Sequence, residues 1–139
     1  MVILQLSENF FNGGDKVKRK RFIVELGMGA DLHGGDATKA AQRAVKDAIS
    51  RSCLCGLFDI AGISDPNQMQ VEVRIGCPQP EKINHAAVKA VIPFGSVTVE
   101  TESGGLAAQG LHLPALGEGD TIVVAVAALT VYVAMPNPA

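Results

Sequence analysis

The sequence has no tryptophan, one tyrosine and only 4% aromatic residues. A core built without large rings must come from Ala, Val, Ile and Leu, and apolar residues make up 47% of the 139 positions. With 19% charged residues this is globular composition, which argues against disorder. There is no excess of either charge: 12 Lys and Arg stand against 14 Asp and Glu, a net charge of -2. A broad nucleic-acid face is usually basic, so nucleic acid is not the expected partner. Lys16 to Arg21 is a local exception, with five basic residues in six. It runs into an apolar strand, and a guard against edge-to-edge pairing accounts for it better than a phosphate-binding or localisation patch. Cysteine is scarce and odd in number: Cys53, Cys55 and Cys77 offer no disulfide framework, and Cys53-x-Cys55 lacks zinc spacing. The apolar run Val2 to Leu6 is too short for a signal core or a membrane span. Reduced thiols in the cytoplasm or an organelle stroma are expected, with no membrane partner.

The length suits one domain, with residues 1–17 as an N-terminal extension and residues 18–139 as a single α/β unit. In the extension, Val2 to Leu6 reads as a short strand and Ser7 to Asp15 as a loop. Phe22 to Leu26 is an apolar, β-branched run broken only by Glu25, and reads as a buried strand. The ten residues from Gly27 to Asp36 hold four glycines and read as a shaped turn. Ala37, Ala40, Ala41, Ala44, Val45, Ala48 and Ile49 then recur at helical steps, with Asp36 as the natural N-cap and Gly56 as the stop.

Leu57 to Gln68 reads as loop. Val71, Val73, Ile75 and Cys77 alternate with polar residues, as a strand with one buried face does. Pro78 and Pro80 introduce a second helix, Glu81 to Ile92, which Pro93 ends. Ser96 to Glu102 alternates again, and a loop rich in Gly and Pro leads to Asp120. Thr121 to Ala134, almost wholly apolar, predicts a central strand buried on both faces. The expected fold is α/β, bordering on α+β: a four-stranded mixed sheet in the order β-α-β-α-β-β, with two helices on one face. A sheet covered on one side only predicts a homo-oligomer, a trimer or higher.

The candidate chemistry centres on the turn. Ligands of open α/β sheets sit outside the carboxyl ends of strands, and glycines allow close backbone approach. Gly27-x-Gly29 is not a dinucleotide fingerprint, because Leu32 stands where the third glycine belongs, and no Gly-Lys-Ser/Thr follows to make a P-loop. Asp31-x-His33 can pair a carboxylate with an imidazole for acid–base work, or supply two ligands to a divalent metal. The same residues can instead hold the turn by bonding its backbone. Gly27, Gly29, Gly34, Gly35 and Asp36 are the candidate ligand-binding positions around them. Ser103-Gly104-Gly105 ends a strand in the same style and could bind a carbonyl or oxyanion. Glu25, if it faces inward, is suited to proton transfer; a wet edge or interface position is the plainer expectation. His85 on a helix and His112 in a loop are expected at the surface.

These residues resemble a small conserved family of uncharacterised function, marked by Gly-x-Gly-x-Asp-x-His-Gly, here Gly27 to Gly34. The likeness continues through Lys39-Ala40-Ala41, Pro78 to Glu81, Pro93-Phe94-Gly95 and Gly104-Gly105-Leu106, over about residues 18 to 134. It implies function at Asp31 and His33 but brings no established reaction. More distantly, the chain is similar to one repeat of the ring-opening amidohydrolases, such as cyanuric acid hydrolase and barbiturase. Those enzymes set three α/β units around one site, with Ser-Gly elements holding ring carbonyls. Ser103-Gly104 is similar to that element, Lys39 is the candidate for their catalytic lysine, and a single unit would have to trimerise. Three readings follow: a hydrolase of a small carbonyl or amide compound, a non-catalytic module for an anionic metabolite, or an oligomeric structural protein.

Overall fold

The computed structural model describes residues 9–12, 15–116 and 119–136. Its strands are β1 (Asn9–Asn12), β2 (Asp15–Asp31), β3 (Gln70–Gly76), β4 (Ser96–Glu102), β5 (Leu106–Gln109) and β6 (Thr121–Pro136). Its helices are α1 (Ala37–Ser50), α2 (Cys55–Asp59) and α3 (His85–Lys89), with short 3-10 turns at Pro66–Gln68, Pro80–Lys82 and Pro114–Leu116. The sheet runs β1-β2-β6-β3-β4, and β5 pairs with the first residues of β6. The α/β expectation holds, with a mixed sheet: β3 and β4 are parallel, joined through α3, and every pairing of β6 is antiparallel.

The sheet is larger than the four strands predicted. The segment read as loop from Ser7 holds β1, and the Gly/Pro-rich segment before Asp120 holds β5; both pair along long neighbours that supply most of the order. Val2 to Leu6 lies outside the described residues. Among the described residues three α-helices form rather than two. The expected helix over 81–92 is split by Ile83 and Asn84 into the Pro80–Lys82 turn and α3, because the Asn84 side chain N-caps a new start by accepting from the Ala87 N–H. The stop expected at Gly56 falls earlier, at Arg51, and Gly56 belongs to α2.

One face of the sheet carries the helices. Val71, Val73, Ile75 and the odd-numbered residues of β6 from Val123 to Val133 are buried there, against Ala40, Ala41, Ala44, Val45 and Ala48 of α1. The opposite face is open, so β6 is central but buried on one side only. Val24, Leu26, Met28 and Val126 lie exposed on that open face. Its far end is polar: the Arg19 guanidinium lies 3.5 Å from the Tyr132 ring centroid and pairs with Glu72.

The largest departure concerns Gly27 to Asp36. Gly27 to Asp31 continues β2, and only Leu32 to Asp36 turns the chain. On the inward side β2 reads Glu25-x-Gly27-x-Gly29-x-Asp31, and α1 lies across the two glycines. A Cβ at Gly27 would stand 2.4 Å from the Ala44 carbonyl oxygen, and one at Gly29 would stand 2.3 Å from the Ala44 nitrogen. Both glycines therefore serve close helix–strand packing. Among the described residues β2 has no strand beyond Lys18 on its outer edge, and α1 covers that edge. The Met28 N–H donates to Asp47 (2.8 Å), and Arg43 donates to the Ala30 carbonyl (2.6 Å).

Candidate functional site

At the N-terminal end of α1 the two aspartates are committed to the backbone. Asp31, 6% exposed, accepts from the Asp36 N–H (2.8 Å) and, at 3.4 Å, from Arg43. Asp36 caps the helix by accepting from the Lys39 N–H (3.1 Å). Both sit where the helix dipole favours negative charge. His33 is half-buried, and among the described residues no hydrogen bond reaches its ring. No group of three or more His, Cys, Asp or Glu among the described residues is placed to hold a metal ion. Gly34 and Gly35 take positive φ, +85° and +61°, which a β-carbon would strain.

Those two glycines border a crevice of about 300 Å³ at the carboxyl ends of β2 and β3. Its other walls include Gln79, Lys82, Thr121 and Val123, and Lys82 is the charged side chain among them. Gln79 is held at φ +54°, between Pro78 and Pro80. Of the residues singled out in sequence, Gly34 and Gly35 line this crevice. Gly27 and Gly29 lie beneath α1, and neither Asp31 nor His33 is on its wall. Lys39 is exposed in the first turn of α1. Ser103 and Gly104 line a separate shallow hollow on the open face, beside Arg74, Gly76 and Glu102. Cys77 is fully buried, as its alternation predicts, and His85 and His112 are exposed.

A family model for conserved hypothetical proteins, Lin0512_fam, matches residues 21–131. The chain belongs to this family. A crystal structure of an FtsZ-like protein of unknown function from Nostoc punctiforme is similar to it, at 44% sequence identity. That match covers 85% of this chain and 98% of the other, with a TM-score of 0.78. No functionally curated protein matches. The family region takes in Glu25 and Asp31 of β2, the two glycines between them and the whole of α1.

The opposite end of α1 holds a second and larger recess. Glu25 is 8% exposed rather than wet, and its Oε1 accepts from the Ser52 hydroxyl at 2.8 Å. It opens onto a cavity of about 550 Å³ between the end of α1, α2, the Ile92–Phe94 loop and the sheet. Leu57, Phe58, Met69 and Phe94 are among its walls, and Asp59 stands at its margin. Sequence reading missed this recess because its walls converge from distant segments, and one of them, Leu57 to Gln68, carries no helical or strand period. The available signal was two of only five phenylalanines, Phe58 and Phe94, placed outside the expected strands. No helix among the described residues is long and apolar enough to cross a membrane.

Proposed function

We propose that this chain is a binding domain for a small anionic metabolite, held in the crevice between Gly34–Gly35 and the Pro78–Lys82 segment. The observation that carries this reading is Lys82, which among the described residues is the charged side chain on a wall otherwise made of glycines, Pro78, Gln79, Thr121 and apolar groups. Such a lining orients a ligand with few polar contacts. Asp31 and Asp36 are occupied by backbone N–H groups, which favours binding over acid–base chemistry at the turn. Calorimetric titration with inorganic phosphate and with citrate tests it: Lys82→Gln is expected to weaken the bound anion by about tenfold. Equal affinity in wild type and variant overturns the reading. His33→Ala separates catalysis from binding, because lost turnover with retained affinity restores the hydrolase reading.

A second reading is favoured by the exposed apolar stripe of Leu26, Met28, Leu106 and Val126 on the open face. It holds that a further copy of this chain covers that stripe in a homo-oligomer, a trimer or higher. Sedimentation at 14.5 kDa alone would remove it.

A further inference from the structure

The recess beside Glu25 is independent of the anion crevice, lies at the other end of α1 and has the opposite electrostatic character. We propose that it binds an apolar amine: an aliphatic or aromatic body in the cavity, with its ammonium group on the Glu25 carboxylate.

Four observations converge. The first is the carboxylate itself. Glu25 is more than nine-tenths buried, and one of its oxygens has a partner, the Ser52 hydroxyl. Among the described residues no Lys, Arg or His pairs with it. A carboxylate withdrawn from water without a cation is costly, and a bound ammonium relieves that cost. The second is the helix. α1 ends at Ser50, so its negative dipole end faces this region and disfavours a lone carboxylate while favouring a cation. The third is the lining. Among the described residues the charged ones on the cavity wall, Glu25 and Asp59, are both acidic, and the rest of the wall is overwhelmingly apolar. About 550 Å³ is ample for a ligand of one ring or a short alkyl chain. The fourth is aromatic. Phe58 and Phe94 both line the cavity and are each 47% exposed, so they present surface to a ligand and can stack on a ring or face a cation.

The test uses the whole chain and three probes of matched shape: phenethylamine, 2-phenylethanol and 3-phenylpropanoate. Affinity is read by calorimetry, and occupancy by protection of Cys53 and Cys55, both exposed and both on the cavity wall, from alkylation. The amine is expected to bind and protect, the alcohol to bind about tenfold more weakly, and the carboxylate not to bind. Glu25→Gln is expected to abolish the preference for amine over alcohol, and Asp59→Asn to reduce it slightly. Should Glu25→Gln fail to fold, the wild-type ranking decides alone, with Phe94→Ala expected to weaken amine and alcohol together. Equal binding of amine and alcohol, preference for the carboxylate, or no binding of any probe overturns the proposal. Phosphate or citrate binding at Lys82 is a separate readout, so either site can fail without the other.

Discussion

The two ends of α1 rest on the same strand and meet the same kind of residue, yet the two carboxylates are in opposite circumstances. Asp31 lies under the helix N-terminus, with a backbone N–H and a guanidinium as partners. Glu25 lies near the C-terminus, with one hydroxyl and an apolar cavity. Burial is nearly equal, 6% against 8% exposed, so burial does not separate them. Partners and dipole do. A buried carboxylate that satisfies backbone groups is part of the scaffold, whereas one left facing a cavity is available to a ligand.

The comparison presumes that α1 is held at a fixed height over Gly27 and Gly29, and Gly29→Ala breaks that premise. Its Cβ would overlap helix backbone, which cannot swing aside as a side chain can. Urea unfolding is expected to show a loss of about 3 kcal/mol, the upper end for overpacking. A loss under about 1 kcal/mol would mean that the helix is not seated as described.

The same substitution at the two carboxylates is expected to have opposite signs. Asp31→Leu strands the Asp36 N–H and should cost about 1–3 kcal/mol. Glu25→Leu removes a desolvated charge while leaving only the exposed Ser52 hydroxyl without its partner, and should be neutral or stabilising by about 1 kcal/mol. Denaturation midpoints of the two variants measure this directly. A comparable loss at both sites would make Glu25 a scaffold residue.

The α/β class, the position of α1 with its Asp36 cap, and strand β4 were all legible in the sequence, because each has a clean period or a single dominant end signal. The strand end at Gly27 to Asp31 was not, because glycine has two uses. It marks a turn when φ must be positive, as at Gly34 and Gly35, and it marks close approach when a neighbour's backbone presses on the strand. Only the second applies to Gly27 and Gly29. The period-two placement of Glu25, Gly27, Gly29 and Asp31 carried that information, but local glycine density outweighed it. At the candidate sites, Gly34 and Gly35 were legible as a turn, whereas Lys82 and the Phe58–Phe94 pair come from segments whose meeting depends on the sheet order.

A smaller effect sharpens the view of the N-terminal end as scaffold. Asp36→Ala removes the cap on the Lys39 N–H and is expected to cost about 1 kcal/mol, read by thermal or urea unfolding. Asp36→Asn, which keeps an accepting oxygen, should recover most of it. No recovery would assign the loss to the charge beside the dipole instead.

Between the two ends stands Asp47, whose carboxylate binds the outer edge of β2. The Met28 N–H holds its pKa below the ordinary value of 3.8, with Arg51 assisting and desolvation opposing. A carboxylate depressed in the folded state contributes stability above its unfolded pKa and loses it as the pH falls through the folded one. The stability gap between wild type and Asp47→Asn should therefore be constant from neutrality to about pH 5 and shrink as the pH falls through and below the ordinary aspartate value of 3.8. Because Asp47 is solvent-accessible, the gap should be the smallest of those considered, and added salt should shrink its Arg51 component. No gap at any pH would show that the Met28 N–H is satisfied equally well by a neutral acceptor. The edge of β2 would then be held by geometry alone, and charge would matter to this helix only at its two ends.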